Sequence, residues 1–288
     1  MSEAHLVSTE WLNARLEDPA VRIVDVRGHL LWEQRDRGTP WRNARSDYAS
    51  AHIPGAVYLD FASDLVDLDN PVPLQVAPFG KLQQVLADKG IGDEHMVVAY
   101  DADRSIFATR LWWIFRLCGH GNIRVLDGGW PKWQRERRRT SFDPPSYPPA
   151  AFTACARCQY RSDIDEVRRI LGASNAVLLD ARAVEDFSGK PKWAARGGHI
   201  PGALNLPAST LLRGDGTFKC IAELRDLVDA CRLPRDAPVI AYCGLGLAST
   251  AVAFALDMLG FQDVRVFDGS WAEWGSREDL PHEVSRAT

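Results

Sequence analysis

The chain has 288 residues, 46% hydrophobic and 25% charged, and its 34 Lys and Arg against 38 Asp and Glu leave a net charge of −4. This excludes an intrinsically disordered chain and gives length enough for two domains, each with its own core. The mildly acidic balance excludes a protein drawn to nucleic acid by charge, and no apolar stretch approaches the ~18 residues of a membrane span.

The start, Met1 to His5, has no charged-then-apolar leader pattern. The six cysteines (Cys118, Cys155, Cys158, Cys220, Cys231, Cys243) are too sparse for a disulfide framework. Together these predict a cytoplasmic protein with reduced thiols.

In chain order, Ile23–Val26 is a short apolar run ending near a polar residue, as buried parallel strands do. The polar stretch Gln34 to Arg45 predicts a surface excursion. Leu82 to Lys89 has helical spacing and is stopped by Gly90; Val97 to Tyr100 is a strand, Ala108 to Leu117 a helix and Ile123 to Leu126 a strand. The lone basic run, Arg135 to Arg139, reads as a solvated helix end. Phe142 to Pro149 holds four prolines and predicts an extended linker.

Beyond it Val177–Asp180 is a strand, Ile221–Ala230 a helix ended by Leu233-Pro234, Val239–Tyr242 a strand, Thr250–Gly260 a helix and Val264–Phe267 a strand. Alternation of this kind predicts α/β domains with mainly parallel sheets flanked by helices.

Four motifs occur twice in the same order. Asp25-Val26-Arg27 recurs as Asp180-Ala181-Arg182, and His52-Ile53-Pro54-Gly55-Ala56 as His199-Ile200-Pro201-Gly202-Ala203. Tyr100-Asp101 recurs as Tyr242-Cys243, and Asp127-Gly128-Gly129-Trp130 as Asp268-Gly269-Ser270-Trp271. A duplicated domain follows. The first is placed at 1–140, the linker at 141–155 and the second at 156–288.

Only the second copy keeps a nucleophile. Cys243 ends a strand and is followed by Gly244-Leu245-Gly246-Leu247-Ala248-Ser249, which leads into a helix. A helix N-terminus carries partial positive charge and unpaired N–H groups, so it stabilises a thiolate and can hold an anion against it. Three other readings of the loop fail on residues. A dinucleotide fingerprint would want glycine where Ser249 stands, a Walker loop needs Gly-Lys-Ser/Thr, and a cysteine phosphatase needs an arginine closing the loop.

Together these motifs resemble the two-domain form of the rhodanese family of sulfurtransferases over essentially the whole chain. Tyr48-x-x-x-His52-Ile53-Pro54-Gly55-Ala56 and Val264-x-x-Phe267-Asp268-Gly269-Ser270-Trp271-x-Glu273-Trp274 carry much of the likeness. The resemblance implies two tandem rhodanese-like domains, the second catalytic through Cys243 and the first inert because it bears Asp101. It also implies that the first domain completes the cleft.

The implied reaction is ping-pong. The Cys243 thiolate takes the outer sulfur of a small donor as a persulfide, which the amides of Gly244 to Ser249 stabilise, and cyanide or a thiol removes it. No cofactor is implied. Thiosulfate-using members are expected to carry basic residues after the cysteine, and 3-mercaptopyruvate-using members Cys-Gly-Ser-Gly. This chain has Gly244 but Leu245, so the donor reading stays open, with thiosulfate preferred over 3-mercaptopyruvate; a non-catalytic sulfur- or anion-binding module is the further alternative, which the intact Cys243 loop argues against.

A donor cation is then sought elsewhere. Arg182 leads, and Arg196, Lys190 and Lys192 follow. Trp32 and Phe107 are expected to line the cleft. His52 and His199 are expected to fix their Ile-Pro-Gly turns, and Trp112, Trp113, Trp130, Trp133, Trp271 and Trp274 to pack in the core. Cys155-Ala156-Arg157-Cys158 lacks the second pair that a zinc site would want, so no metal is expected.

Overall fold

A computed structural model describes residues 5–31, 41–171, 176–191 and 193–285. Two compact units compose it. One comprises Met1–Leu68, Val76–Arg157 and Gly214–Phe218, and the other Asp69–Gln75, Cys158–Arg213 and Lys219–Thr288.

The strands are β1 (Leu6–Val7), β2 (Val21–Asp25), β3 (Gly28–Leu30), β4 (Trp41–Asn43), β5 (Ala56–Tyr58), β6 (Met96–Tyr100) and β7 (Ile123–Leu126). They continue as β8 (Arg161–Ser162), β9 (Val177–Asp180), β10 (Leu204–Asn205), β11 (Val239–Tyr242) and β12 (Val264–Phe267). The first unit's sheet runs β1-β7-β6-β2-β5 and the second's β8-β12-β11-β9-β10, both wholly parallel. The strand order is the same in both, which is the sequence repeat made physical.

The register repeats as well. Asp25 lies opposite Tyr100 and Asp180 opposite Tyr242, so each Asp-x-Arg emerges beside the residue that follows the tyrosine. In open α/β sheets that carboxyl end is where ligands bind.

Helix Ala248–Met258 follows β11, and its residues Ser249 to Leu256 are buried. Its small and apolar residues run all round, as a helix buried on every side requires. Helix Ile106–Leu117 follows β6 and is buried along nearly its whole length. Each unit has its own core. Ile23, Ile53, Val98, Tyr100, Trp130 and Trp133 meet in one; Leu178, Ile200, Ile240, Tyr242, Trp271 and Trp274 meet at the matching places in the other. Trp112 and Trp113 are buried too.

Several elements lie outside the sequence reading. Edge strands β1 and β8 are two residues each, too short for a period to show. The helices after them, Thr9–Asn13 and Ile164–Ile170, are capped by Ser8 and Asp163 through bonds to the amides of Trp11 (3.0 Å) and Glu166 (2.8 Å). Part of the expected excursion, Trp41–Asn43, instead pairs antiparallel with Gly28–Leu30; residues 34–40 lie outside the described residues.

The proline-rich stretch is extended and tied along the first unit. Arg22 stacks on Tyr147 at 3.9 Å, Tyr147 donates to the Gly55 carbonyl at 3.0 Å, and Phe152 is buried against Phe115 and His120.

His52 stacks on Tyr48 and His199 on Phe187, and each bonds a backbone carbonyl through Nδ1 at 2.8 Å. Each also pairs through its backbone with the tail of its own unit, His52 with Ser141 and His199 with Glu283. They hold turns and tails together. Cys155 and Cys158 are exposed free thiols. Among the described residues no helix is long and apolar enough to cross a membrane, and no group of three His, Cys, Asp or Glu could hold a metal ion.

Candidate active site

Cys243 is buried, directly after β11. Its carbonyl accepts from the Trp271 amide at 2.9 Å and the Gly244 carbonyl from the Ala272 amide at 2.9 Å. The Cys243 amide donates to Ser270 Oγ at 3.1 Å, and that hydroxyl donates to the Phe267 carbonyl at 2.9 Å. The Asp268-Gly269-Ser270-Trp271 motif is therefore the clamp that fixes the first peptides of the loop.

Ser270 takes φ of 51°, a left-handed value costly for a residue with a Cβ. Its counterpart Gly129 has φ of 52°, and a Cβ there would stand 2.5 Å from the Asp101 carbonyl oxygen. Ser270 was not singled out from sequence. The Gly-to-Ser difference between the repeats was the available signal.

The first unit shows what such a loop does with an anion. Asp101 occupies the place of Cys243, with its carbonyl held by the Trp130 amide at 2.8 Å. Its Oδ1 accepts from the amides of Asp103 and Ser105, both at 3.1 Å, and its Oδ2 from Phe107 at 2.8 Å and Ala108 at 2.9 Å. The loops have equal length, and the residue at the third position after the nucleophile site is left-handed in each, Arg104 at 52° and Gly246 at 77°.

The amides at the same spacing from Cys243 are those of Leu245, Leu247, Ser249 and Thr250. Thr250 donates to the Leu247 carbonyl at 3.0 Å, while among the described residues those of Leu245, Leu247 and Ser249 donate to no backbone carbonyl. Ser249 Oγ is buried and makes no hydrogen bond among the described residues. A buried donor left without a partner is costly, and functional sites are where such groups collect. Gly244, Gly246 and Ala248, expected in the cradle, have no counterpart among the donors to Asp101.

The expected donor cations have the following surroundings. Arg182 is buried, with Nε and Nη2 on Asp180 at 2.5–3.0 Å, Nη2 also on the Gly198 carbonyl at 2.7 Å, and its guanidinium 4.6 Å from the Trp271 ring. Arg27 repeats this with Asp25, the Ala51 carbonyl (2.8 Å) and Trp130 (4.5 Å). Recurrence in the copy without a thiol marks Nε and Nη2 as a structural clip, while Arg182 Nη1 is buried with no hydrogen-bond partner among the described residues.

Arg196 gives its guanidinium to the carbonyls of Gly275 (3.0 Å), Leu280 (2.8 Å), Trp274 (3.1 Å) and Arg277. It staples the C-terminal segment and is not an open cation. Lys190 is exposed; Lys192 and Trp32 lie outside the described residues. Phe107 is 1% exposed, with its ring packed on Gly28 and Phe61.

Sequence reasoning also missed Trp193, whose indole lies against Gly244. A methyl on Gly244 would stand 2.4 Å from its Cδ1.

The fold is that of a duplicated α/β protein with a thiol at the carboxyl end of one sheet, and comparison with known proteins gives its family. The model of the rhodanese-like domain matches residues 8–136 and 163–277. The chain belongs to the rhodanese family, as two tandem rhodanese-like domains, and is a sulfurtransferase of that family.

It is 36% identical over 97% of both chains to a putative thiosulfate sulfurtransferase of Mycobacterium bovis, and 31% identical to the 3-mercaptopyruvate sulfurtransferase of Escherichia coli, over 98% of this chain and 99% of that one. The crystal structure of SseA from Escherichia coli, a 3-mercaptopyruvate sulfotransferase structure, superposes with a TM-score of 0.83 at 29% identity, over 92% of this chain and 98% of that one.

Proposed function

We propose that the chain carries sulfane sulfur from thiosulfate to cyanide or a thiol through a persulfide on Cys243. The thiolate attacks the outer sulfur of the donor. A Cys243 S–S bond forms as the donor S–S bond breaks, and sulfite leaves with the electron pair. Cyanide then attacks the outer sulfur of the persulfide, thiocyanate departs, and the thiolate is restored.

The observation that carries this reading is the Asp101 carboxylate seated on four amides of an equal-length loop. The same spacing around Cys243 offers N–H groups to the partly anionic outer sulfur, as an oxyanion hole does for an alkoxide. The names of the Mycobacterium relatives support thiosulfate.

A second reading, 3-mercaptopyruvate as donor, is favoured by the placement of Arg182 and Arg196. With the Arg196 guanidinium given to carbonyls and only Nη1 of Arg182 left unbonded, a donor of lower charge is the easier one to hold. In that case the thiolate attacks the donor sulfur, the C–S bond breaks, and the enolate of pyruvate leaves and takes up a proton.

Steady-state kinetics with each donor, with cyanide as acceptor, tests both. A higher kcat/KM for thiosulfate upholds the first reading and a higher value for 3-mercaptopyruvate the second. Full activity after stoichiometric alkylation of Cys243 would sink both.

A further inference from the structure

Between Phe187 and His199 lies a segment, described at residues 187–191 and 193–199, that the proposed chemistry does not use. Its ends touch, since a Cβ on Gly197 would stand 1.9 Å from the Gly189 carbonyl oxygen. Its return strand is anchored three ways. Arg196 holds carbonyls of the C-terminal segment, its own carbonyl accepts from Trp271 Nε1 at 3.0 Å, and His199 and Glu283 exchange backbone bonds at 2.9 Å.

At the tip Trp193 has φ of 72°, a left-handed value that a bulky residue adopts only when its surroundings impose it. The indole is thereby laid on Gly244, the residue after the thiol. A Cβ there would meet its Cδ1, Nε1 and Cγ at 2.4, 2.5 and 2.7 Å. On the other side Trp193 packs against the core that holds Tyr242, Trp271 and Trp274. The anchored return strand thus carries a large aromatic against the first peptide of the cradle, and the sequence has answered with the one residue that leaves it room.

We propose that Trp193 is a specificity-determining wall. It narrows the approach to Cys243 so that small donors reach the thiol and bulky ones, such as peptide-sized persulfides, are kept out. The proposal rests on the reading above in taking Cys243 as the reactive thiol, and its test does not require sulfur transfer.

The wild type, W193A, W193F and G244A are treated with iodoacetamide and, separately, with the bulkier N-phenylmaleimide. Modification of the Cys243 peptide is followed by mass spectrometry. W193A and G244A, the latter by displacing the indole, are expected to raise the N-phenylmaleimide rate about tenfold and the iodoacetamide rate less than about threefold, with W193F within about twofold of wild type for both.

Equal gains with the two reagents, or no gain in W193A, overturn the proposal. Should W193A fail to fold, G244A decides by the same criterion. Wild-type protein that transfers no sulfur from any donor while the reagents discriminate as expected would defeat the functional reading and leave the wall standing.

Discussion

Replacing Asp101 with alanine tests the reasoning that assigns a role to the Cys243 loop, because it empties the one cradle whose occupant is visible. The carboxylate is buried and takes four amide bonds of 2.8–3.1 Å. Each buried donor left unmade costs about 1–3 kcal/mol, and an admitted water accepts from about two of them, so the expected loss is about 3 kcal/mol at pH 4, where the comparison is made, and smaller at pH 7, where ionising the buried carboxyl offsets part of it. Urea unfolding followed by circular dichroism measures it, read at the first transition because two units need not melt together.

The distinguishing step is rescue. A carboxylate supplied from solution should refill the cradle, and formate at about a hundred times its dissociation constant would return about 2.7 kcal/mol. Chloride at equal ionic strength should return less, lacking two oxygens to span the donors. D101A as stable as wild type, or destabilised with no preference for formate, would refute the claim that these loops are built to hold an anion. The inference to the persulfide would then fall with it.

Three further outcomes follow from the same geometry. Arg182→Ala leaves the buried Asp180 carboxylate unpaired and should cost about 3–5 kcal/mol; Arg27→Ala should cost a similar amount through Asp25, and a variant that keeps stability but loses donor binding would restore Arg182 as a donor cation.

Ser249→Ala removes a buried hydroxyl that has no partner among the described residues. It should leave stability within about 1 kcal/mol of wild type or above it while lowering kcat/KM; lost stability with unchanged kinetics would mark the hydroxyl as structural.

Burial pushes the Asp101 carboxyl up to about 6 against the pull of the loop amides. The folded chain therefore binds this proton more tightly than the unfolded one, and stability from this group is greatest below about pH 4 and falls as pH rises through about 6. Relative to D101N, the wild type should lose about 2 kcal/mol between pH 4 and pH 7, read from parallel urea titrations; identical pH profiles would contradict it.

Much of this protein was legible in its residues because the repeat prints the same design twice. Period and punctuation gave the main strands and helices, and β9 and helix Ile221–Ala230 fall where the pattern puts them. Local signals did not reach the two-residue edge strands, whose only support is a neighbour across the sheet. The start of helix Ile106–Leu117 also eluded them, since Ser105 before it is left-handed in a way no side chain announces.

What the sequence determined by itself was the α/β class, the duplication, and Cys243 as the thiol kept where the other copy has Asp101. Those are matters of residue type and order along one chain, which short-range physics encodes. What the tertiary structure decided was the employment of side chains whose partners are far away in sequence. Arg182 and Arg196 looked like available cations until the fold paired one with Asp180 and Gly198 and gave the other to carbonyls near residue 275. Trp193 and Ser270 looked like nothing in particular until folding laid them on Gly244 and the Cys243 amide. A charge written in a sequence is a capacity to bind; which partner takes it is settled by desolvation and geometry, and those exist only once the chain has closed on itself.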